Sequence, residues 1–260
     1  MTQADPALTA FLAHLPRGVF VLLLVFARVA GAVMLLPGFG EQQLPAMVRL
    51  AIALALAVLL APVLGTMPKL PAASLELARL LASETATGLW IGFLARTLAL
   101  ALPTAGSLAA GSLGLANVLQ PDSEFGPGAS ALAAGLQRAV PALVLAANLQ
   151  VPLLEALRGS YALVPVGHVL PASSLGTVLP AVADAFALTL RLAAPFLFAG
   201  LVWFAALGLA ARLVPRLQIY FAALPGQVLA GLLLLAGLTP MLLGLWTRAM
   251  AHAWALLAGH

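Results

Sequence analysis

The amino-acid sequence predicts an all-α membrane protein, and three observations lead to this fold class. Hydrophobic residues make up 63% of the 260 residues and charged residues only 8%, whereas a soluble domain contains roughly a quarter charged residues. Two apolar runs, residues 18–36 and 45–64, each approach the ~20 residues that a helix needs to cross a bilayer. Cysteine is absent, which excludes disulfide frameworks and thiolate metal sites.

The remaining composition argues against several classes of function. The net charge of +4 is spread thinly along the chain, so neither a nucleic-acid-binding patch nor a polybasic lipid-binding tract is predicted. The four histidines share no metal-ligand spacing, and no nucleophile motif or glycine-rich phosphate loop is present. We therefore expect no enzymatic activity, no metal, no cofactor and no nucleic-acid partner.

The N-terminal part is predicted to contain two spanning helices. Asp5 and Pro6 are typical of an N-cap and a first helical residue, and they predict a short helix that ends at Leu15. A long helix is expected from about Arg17 to Leu36, where Pro37 ends it. A second follows from Pro45 to Ala61.

The middle of the chain is predicted to combine a third helix with a closely packed segment. Ser74 caps this helix, which runs to Ala101 and is kinked or stopped by Pro103. Residues 104–117 are mostly Gly, Ala and Ser, which let backbones approach closely, so this segment should be buried against protein. A polar loop that contains Asp122 and Glu124 follows it.

Three further helices complete the predicted set of about six long apolar helices, several of them broken by proline or glycine. The fourth is expected at residues 129–157 and the fifth at 178–213, which is longer than a bilayer requires. The sixth is expected at 221–258 with a break at Thr239 and Pro240. No soluble domain is predicted, so residues 1–260 form a single integral membrane domain.

Charged residues inside apolar helices are candidates for function, because a charge exposed to lipid is energetically costly. They either line an ion path or form structural pairs at helix and subunit contacts. Glu84, Gly88, Gly92 and Arg96 follow one another at intervals of four and lie on one stripe. Glu84 and Arg96 are about 18 Å apart along the axis, so each needs a partner on another helix or another chain. The inter-subunit or buried polar candidates are Arg28, Arg49, Glu84, Gly88, Gly92, Arg96, Asp184 and Arg191.

Four stretches, taken in order, resemble the FliR/SctT family of flagellar and injectisome type III export-gate proteins. They are "RVAGAVMLLPGFGEQQLPAMVRLAIALALAVLLAP" (28–62), "ETATGLWIGFLAR" (84–96), "SYALVPVG" (160–167) and "ARLVPRLQIYFAALPGQ" (211–227). The chain departs from the family at Gly106–Leu108, which lacks a glutamate common there. Aromatic residues common after that element are replaced by Leu115, Val118 and Leu119.

The resemblance implies a helical, right-handed gate through which unfolded substrates leave the cytoplasm, formed by one copy of this subunit with FliP-like and FliQ-like subunits. FlhB-like and FlhA-like export components are the further implied partners, with the surrounding lipid. It also implies a FliP-like part at about residues 1–175 and a FliQ-like helical hairpin at about 176–260. The location implied is the bacterial inner membrane, within the flagellar basal body.

The stretch 211–227 is predicted to form a turn at the end of that hairpin. Pro215 and Pro225 should break the helix and expose backbone groups that lipid cannot satisfy, so the turn should lie in protein or water. The resemblance places it at the cytoplasmic entrance, where Arg212 and Arg216 can bind neighbouring subunits. The alternative is a solvated turn that only connects two helices. The entrance candidates are Arg212, Pro215, Arg216, Gln218 and Pro225.

The polar loop after residue 114 resembles the plug loop of the family. Its glycines and prolines allow a non-helical path, and its apolar side chains can close a narrow pore by excluding water. A plain surface loop is the alternative, which Asp122 and Glu124 favour. The plug candidates are Leu115, Val118, Leu119 and Phe125.

We therefore expect a non-enzymatic subunit of the flagellar protein export gate. Two alternatives stay open at this stage. One is the corresponding subunit of a virulence-type injectisome, because both branches share these motifs. The other is a stand-alone secondary transporter of a small solute, in which Glu84, Asp184 and Arg191 form the binding or proton site.

Overall fold

The computed structural model is helical over most of the residues that it describes, without a strand among them. It describes residues 6–41, 44–62, 64, 68, 70, 71, 73–115, 131–168, 176–213 and 219–257. The helices in this part of the chain are α1 (Pro6–Leu35), α2 (Ala46–Leu60), α3 (Ser74–Ala99), α4 (Ala101–Ser112), α5 (Ala131–Ala146), α6 (Gln150–Leu163), α7 (Val178–Leu213) and α8 (Ile219–Leu257). The predicted all-α membrane fold is confirmed.

Four helical stretches are long and apolar enough to cross a membrane. They are residues 17–35 of α1, α3 together with α4 (74–112), α7, and residues 219–255 of α8. A fifth is obtained if α5 and α6 are counted as one broken span. With 36 residues, α7 is about 54 Å long, whereas the hydrocarbon core of a bilayer is about 30 Å thick.

Several predicted helix boundaries are wrong, and each has a local cause. The short helix expected to end at Leu15 is continuous with the next one in α1. The single helix expected at 129–157 is divided into α5 and α6, because Asn148 between them adopts a left-handed backbone with φ of 53°. The break expected at Thr239 and Pro240 is absent, since both lie inside α8. There the Thr239 hydroxyl donates to the Leu235 carbonyl at 2.6 Å.

The chain divides into two compact units, each formed by separate parts of the sequence. The first comprises residues 1–96, 150–178 and 254–260, and the second comprises residues 97–149 and 179–253. In the first unit α1 packs against α2, and in the second α4 packs against α5.

The small-residue segment predicted to be buried, residues 104–117, is described up to residue 115 and forms most of α4 and the turn after it. One side of it lies in the core of the second unit, while Thr104, Ser107, Leu108 and Gly111 are exposed. Ala109, Ala110, Leu113, Leu115 and Phe196 form a buried cluster there. A Cβ added at Gly200 of α7 would lie 2.8 Å from the Ser112 carbonyl oxygen. Glycine at this position therefore allows the end of α4 to approach α7 closely.

Candidate functional site

Helices α1 and α3 cross at a contact that only glycine allows. A Cβ added at Gly31 would lie 2.7 Å from the Thr85 carbonyl oxygen, and one added at Gly92 would lie 2.7 Å from the Ala32 carbonyl oxygen. A Cβ at Gly88 would meet the Arg28 carbonyl oxygen. Because real Cβ atoms do not approach backbone this closely, the three glycines set the distance between the helices.

A buried ion pair joins the two helices at this crossing. Arg28 of α1 donates from Nε to Glu84 Oε2 at 2.7 Å and from Nη2 to Glu84 Oε1 at 3.2 Å. Both side chains are 0% exposed. This bidentate arrangement is the strong form of the arginine–carboxylate interaction.

The end of α6 supplies the other acceptors of the Arg28 guanidinium. Nη1 donates to the Ser160 carbonyl oxygen at 3.2 Å and to the Ser160 hydroxyl at 3.4 Å. Nη2 also donates to the Val164 carbonyl oxygen at 2.9 Å. All five N–H donors of an arginine thus have an acceptor. The Ser160 carbonyl lies in the last turn of α6 and the Val164 carbonyl directly follows that turn, at the end of a helix where a cation is favourable.

Two further groups complete the polar cluster. The Gly167 backbone N–H donates to Glu84 Oε1 at 2.8 Å, and Gly167 has a φ of 85° that favours glycine. The Tyr161 ring lies below the guanidinium, with its centroid 4.1 Å from Arg28 Cζ. The cluster of Arg28, Glu84, Ser160, Tyr161, Val164 and Gly167 is called the arginine clamp below.

The arginine clamp fixes three separate parts of the chain to each other. It joins α1, α3 and the turn at residues 164–168 that follows α6. Both Glu84 oxygens accept hydrogen bonds and every guanidinium donor is used, so the ion pair offers neither an open ligand position nor a free base. Within the arginine clamp the buried Tyr161 hydroxyl is left without a hydrogen-bond partner among the described residues. The geometry of the ion pair suits a structural role rather than ion binding.

The other charged candidates lie in different environments. Arg96 Nη2 is 3.8 Å from Glu41 Oε2 in a partly exposed pair, which contributes little to stability. Arg49 is half-buried on α2, and its Nε atom has no hydrogen-bond partner among the described residues. Asp184 and Arg191 are both exposed on α7.

The plug and entrance candidates are described only in part. Leu115 is buried in the core of the second unit, and its N–H donates to the Ala110 carbonyl oxygen at 2.9 Å. Arg212 is exposed at the end of α7. Pro225 lies inside α8, so the helix break expected there is wrong. The other six candidates lie outside the described residues: Val118, Leu119, Phe125, Pro215, Arg216 and Gln218.

Sequence reasoning selected Arg28 and Glu84 but missed the rest of the arginine clamp. The stretch "SYALVPVG" contains the other four residues of the arginine clamp, Ser160, Tyr161, Val164 and Gly167, but in the sequence it indicates only the resemblance to the family. Tyr161 and Gly167 were the available indication, because a tyrosine ring can stack on a guanidinium and a glycine can adopt a positive φ. Glu41 was also missed as the partner of Arg96.

Comparison with known proteins identifies the family. The model of the bacterial export proteins, family 1, matches residues 19–253. The flagellar biosynthetic protein FliR of Caulobacter vibrioides is 34% identical over 220 residues, which cover 84% of this chain and 88% of that protein. The resemblance found in the sequence is thereby confirmed, and the chain belongs to the bacterial export proteins, family 1, the FliR/SctT family.

Proposed function

We propose that the protein is a subunit of the flagellar type III protein export gate and forms part of the channel for unfolded flagellar proteins. The observation that supports this most strongly is the family match, which extends from residue 19 to residue 253. A match to only part of the chain would be compatible with a further domain of different activity, but here the family model covers nearly the whole chain.

The fold is compatible with this function. Four of its helical stretches are able to span a membrane, as a channel subunit requires. The relative from Caulobacter vibrioides is a flagellar protein, which favours the flagellar branch over the injectisome branch. We place the protein in the bacterial inner membrane, within the flagellar basal body.

The partners that we propose are FliP-like and FliQ-like gate subunits, together with FlhB-like and FlhA-like export components. In this proposal the protein contributes channel wall and subunit contacts without catalysing a reaction. The loop after residue 115 closes the channel, and the segment around Arg212 faces the cytoplasmic entrance.

The structure gives no support to the stand-alone transporter. That hypothesis requires Glu84, Asp184 and Arg191 to form a solute site, but Glu84 is fully buried and bound by Arg28 and Gly167. Asp184 and Arg191 are exposed on α7. A transport site needs polar groups that are free to bind solute, and Glu84 does not meet this condition.

The function is tested by deleting the gene in its own host and measuring export of flagellar proteins. We expect that hook and filament proteins disappear from the medium and accumulate in the cell, and that a plasmid copy of the gene restores their export. Secretion by the general pathway serves as the control and should be unchanged. Normal export of flagellar proteins by the deletion strain would contradict the proposal.

A further inference from the structure

The N-terminal part of α7 extends beyond the length that a bilayer needs. Residues 192–211 contain no Asp, Glu, Lys or Arg, and these 20 residues of helix measure about 30 Å, the thickness of the hydrocarbon core. Residues 178–191 precede them and add about 20 Å of helix. The exposed face of this extension, which bears Leu179, Val182, Asp184, Phe186, Leu190 and Arg191, is called the α7 extension face.

The α7 extension face is poorly suited to water. Leu179 is 77% exposed and Phe186 is 63% exposed, and Val182 and Leu190 are also exposed. A group of large apolar side chains left uncovered on one helix marks a surface that another molecule covers.

The same face is poorly suited to lipid. Asp184 and Arg191 are exposed within it, and neither has an ion-pair partner among the described residues. They lie seven positions apart on the same side of the helix, which separates them by about 10 Å and prevents them from pairing with each other. By contrast, Arg28 and Glu84 satisfy each other inside the chain. A molecule that covers this face should therefore present a cation to Asp184 and an anion to Arg191.

Small residues make the face suitable for a helix. Ala183 and Ala187 are exposed within it, on either side of Asp184 in the sequence. Small side chains let two helix backbones approach closely, which favours helix packing over contact with mobile lipid chains. A helix is also rigid enough to hold two charges at a fixed separation of about 10 Å.

We propose that the α7 extension face docks one apolar helix of another export subunit, which presents a cation to Asp184 and an anion about 10 Å away to Arg191. This inference rests on the proposed function, because it takes the partner from the same membrane complex. Apolar side chains supply the contact area, and the two charges set the register and orientation of the partner helix.

The first test is photo-crosslinking at Ala187, which lies between the two charges. A benzophenone amino acid replaces Ala187 in the tagged full-length chain, expressed in its own host, and the irradiated membranes are analysed by mass spectrometry. We expect a covalent adduct with a different membrane subunit of the export apparatus. Adducts with lipid alone, or with a second copy of this chain, would overturn the proposal.

The second test reverses each charge in turn. For Asp184→Lys and for Arg191→Glu we expect about tenfold less partner subunit to be co-extracted with the tagged chain, because each variant places like charges in contact. The conservative variant Asp184→Glu should retain the partner. Glu76→Lys is the matched control, since Glu76 is an exposed acid in the first turn of α3, outside the proposed contact. Recovery of Asp184→Lys complexes at the wild-type level would contradict the inference.

The two tests separate this inference from the proposed function. If the wild-type chain co-extracts no export subunit, the proposed function itself fails. If it does co-extract them, but Ala187 gives no protein adduct and charge reversal has no effect, only the docking inference fails. A charge-reversal variant that does not accumulate leaves the crosslinking experiment at Ala187 to decide.

Discussion

Arg28 is the residue on which the packing of the first unit depends most clearly. Its guanidinium loses all contact with water, and the hydration is replaced by five hydrogen bonds and one aromatic face. A buried ion pair of this kind is costly to break, because the remaining partner stays buried without compensation. The arginine clamp therefore favours one arrangement of α1, α3 and the end of α6 over alternatives.

Arg28→Met should lower the stability of the protein by about 3 to 5 kcal/mol, because it leaves the Glu84 carboxylate buried without a cation. The measurement is the thermal unfolding midpoint of the purified protein in detergent. Arg28→Met combined with Glu84→Met should be less destabilised than the sum of the two single variants, since no unpaired charge then remains. Additive losses in the double variant would show that the two side chains do not interact.

At the residue scale the sequence indicates which charges matter but not how they pair. Arg28 and Glu84 stand out as charges inside apolar helices, yet they are 56 positions apart, and nothing local links them. Val164 acts only through its carbonyl oxygen, and Ser160 acts through its carbonyl oxygen as well as its hydroxyl. Because every residue possesses a carbonyl group, the sequence does not reveal this part of the arginine clamp. Leu115 shows the same limit, because a leucine suits a core and a pore closure equally well.

The crossing of α1 and α3 is the element-scale counterpart of the arginine clamp. Gly88 lies directly against the backbone of Arg28, so the spacing of the helices and the position of the ion pair depend on the same residue. At this crossing the backbones of α1 and α3 pack directly against each other, so that large side chains are not needed to fill the space between them.

Gly88→Ala should destabilise the first unit by about 1 to 3 kcal/mol, because the added methyl group meets backbone atoms of α1 that cannot rotate away. It should also weaken the Arg28–Glu84 pair, so that a subsequent Glu84→Gln change costs less than in the parent protein. Gly135→Ala is the control, since a Cβ there meets nothing within 4 Å and alanine is the better helix former. Equal unfolding midpoints for Gly88→Ala and the parent would contradict the assigned contact.

Gly114 ends α4 with a left-handed backbone. Its φ is 72°, and the next residue, Leu115, donates back to the Ala110 carbonyl oxygen, a pattern that commonly closes a helix. Gly114→Ala should cost about 1 to 2 kcal/mol, because a side chain is strained at this φ and its Cβ would lie 3.0 Å from Gln227 Nε2. The check is the unfolding midpoint. A midpoint equal to or above that of the parent protein would show that the turn is not left-handed.

Element boundaries were predictable where composition changes sharply. The bounds of α7 match the predicted 178–213, because polar and apolar segments meet at both ends. Proline was a less reliable guide, since α8 continues through Pro225 and Pro240. A proline removes one backbone hydrogen bond, and a helix of 39 residues tolerates that loss when its neighbours are helical.

At the scale of the whole molecule, much of the apolar surface of this chain remains uncovered. Exposed large hydrophobic side chains are numerous on α2, α7 and α8, and lipid together with other subunits is expected to cover them. Membership of the export family and the spanning helices were predictable from sequence, since both depend on composition and motif order. The partner contacts were not predictable, because they depend on residues of other chains.

The proposed channel closure is tested by replacing residues 117–129 with a Gly/Ser segment of equal length. This change removes the apolar candidates Val118, Leu119 and Phe125 but leaves Leu113 and Leu115 in the core. We expect the complex to assemble and the membrane to leak small ions, because no apolar side chains then exclude water from the channel. An assembled complex without increased ion conductance would remove the plug assignment.

Native mass spectrometry tests the central claim most directly. The tagged chain is extracted from its own host in mild detergent, and the mass of the intact assembly gives the number and identity of its subunits. The account predicts one copy of this chain bound to several copies of two other small membrane proteins of the export apparatus. A monomer or a homodimer without partners would contradict it.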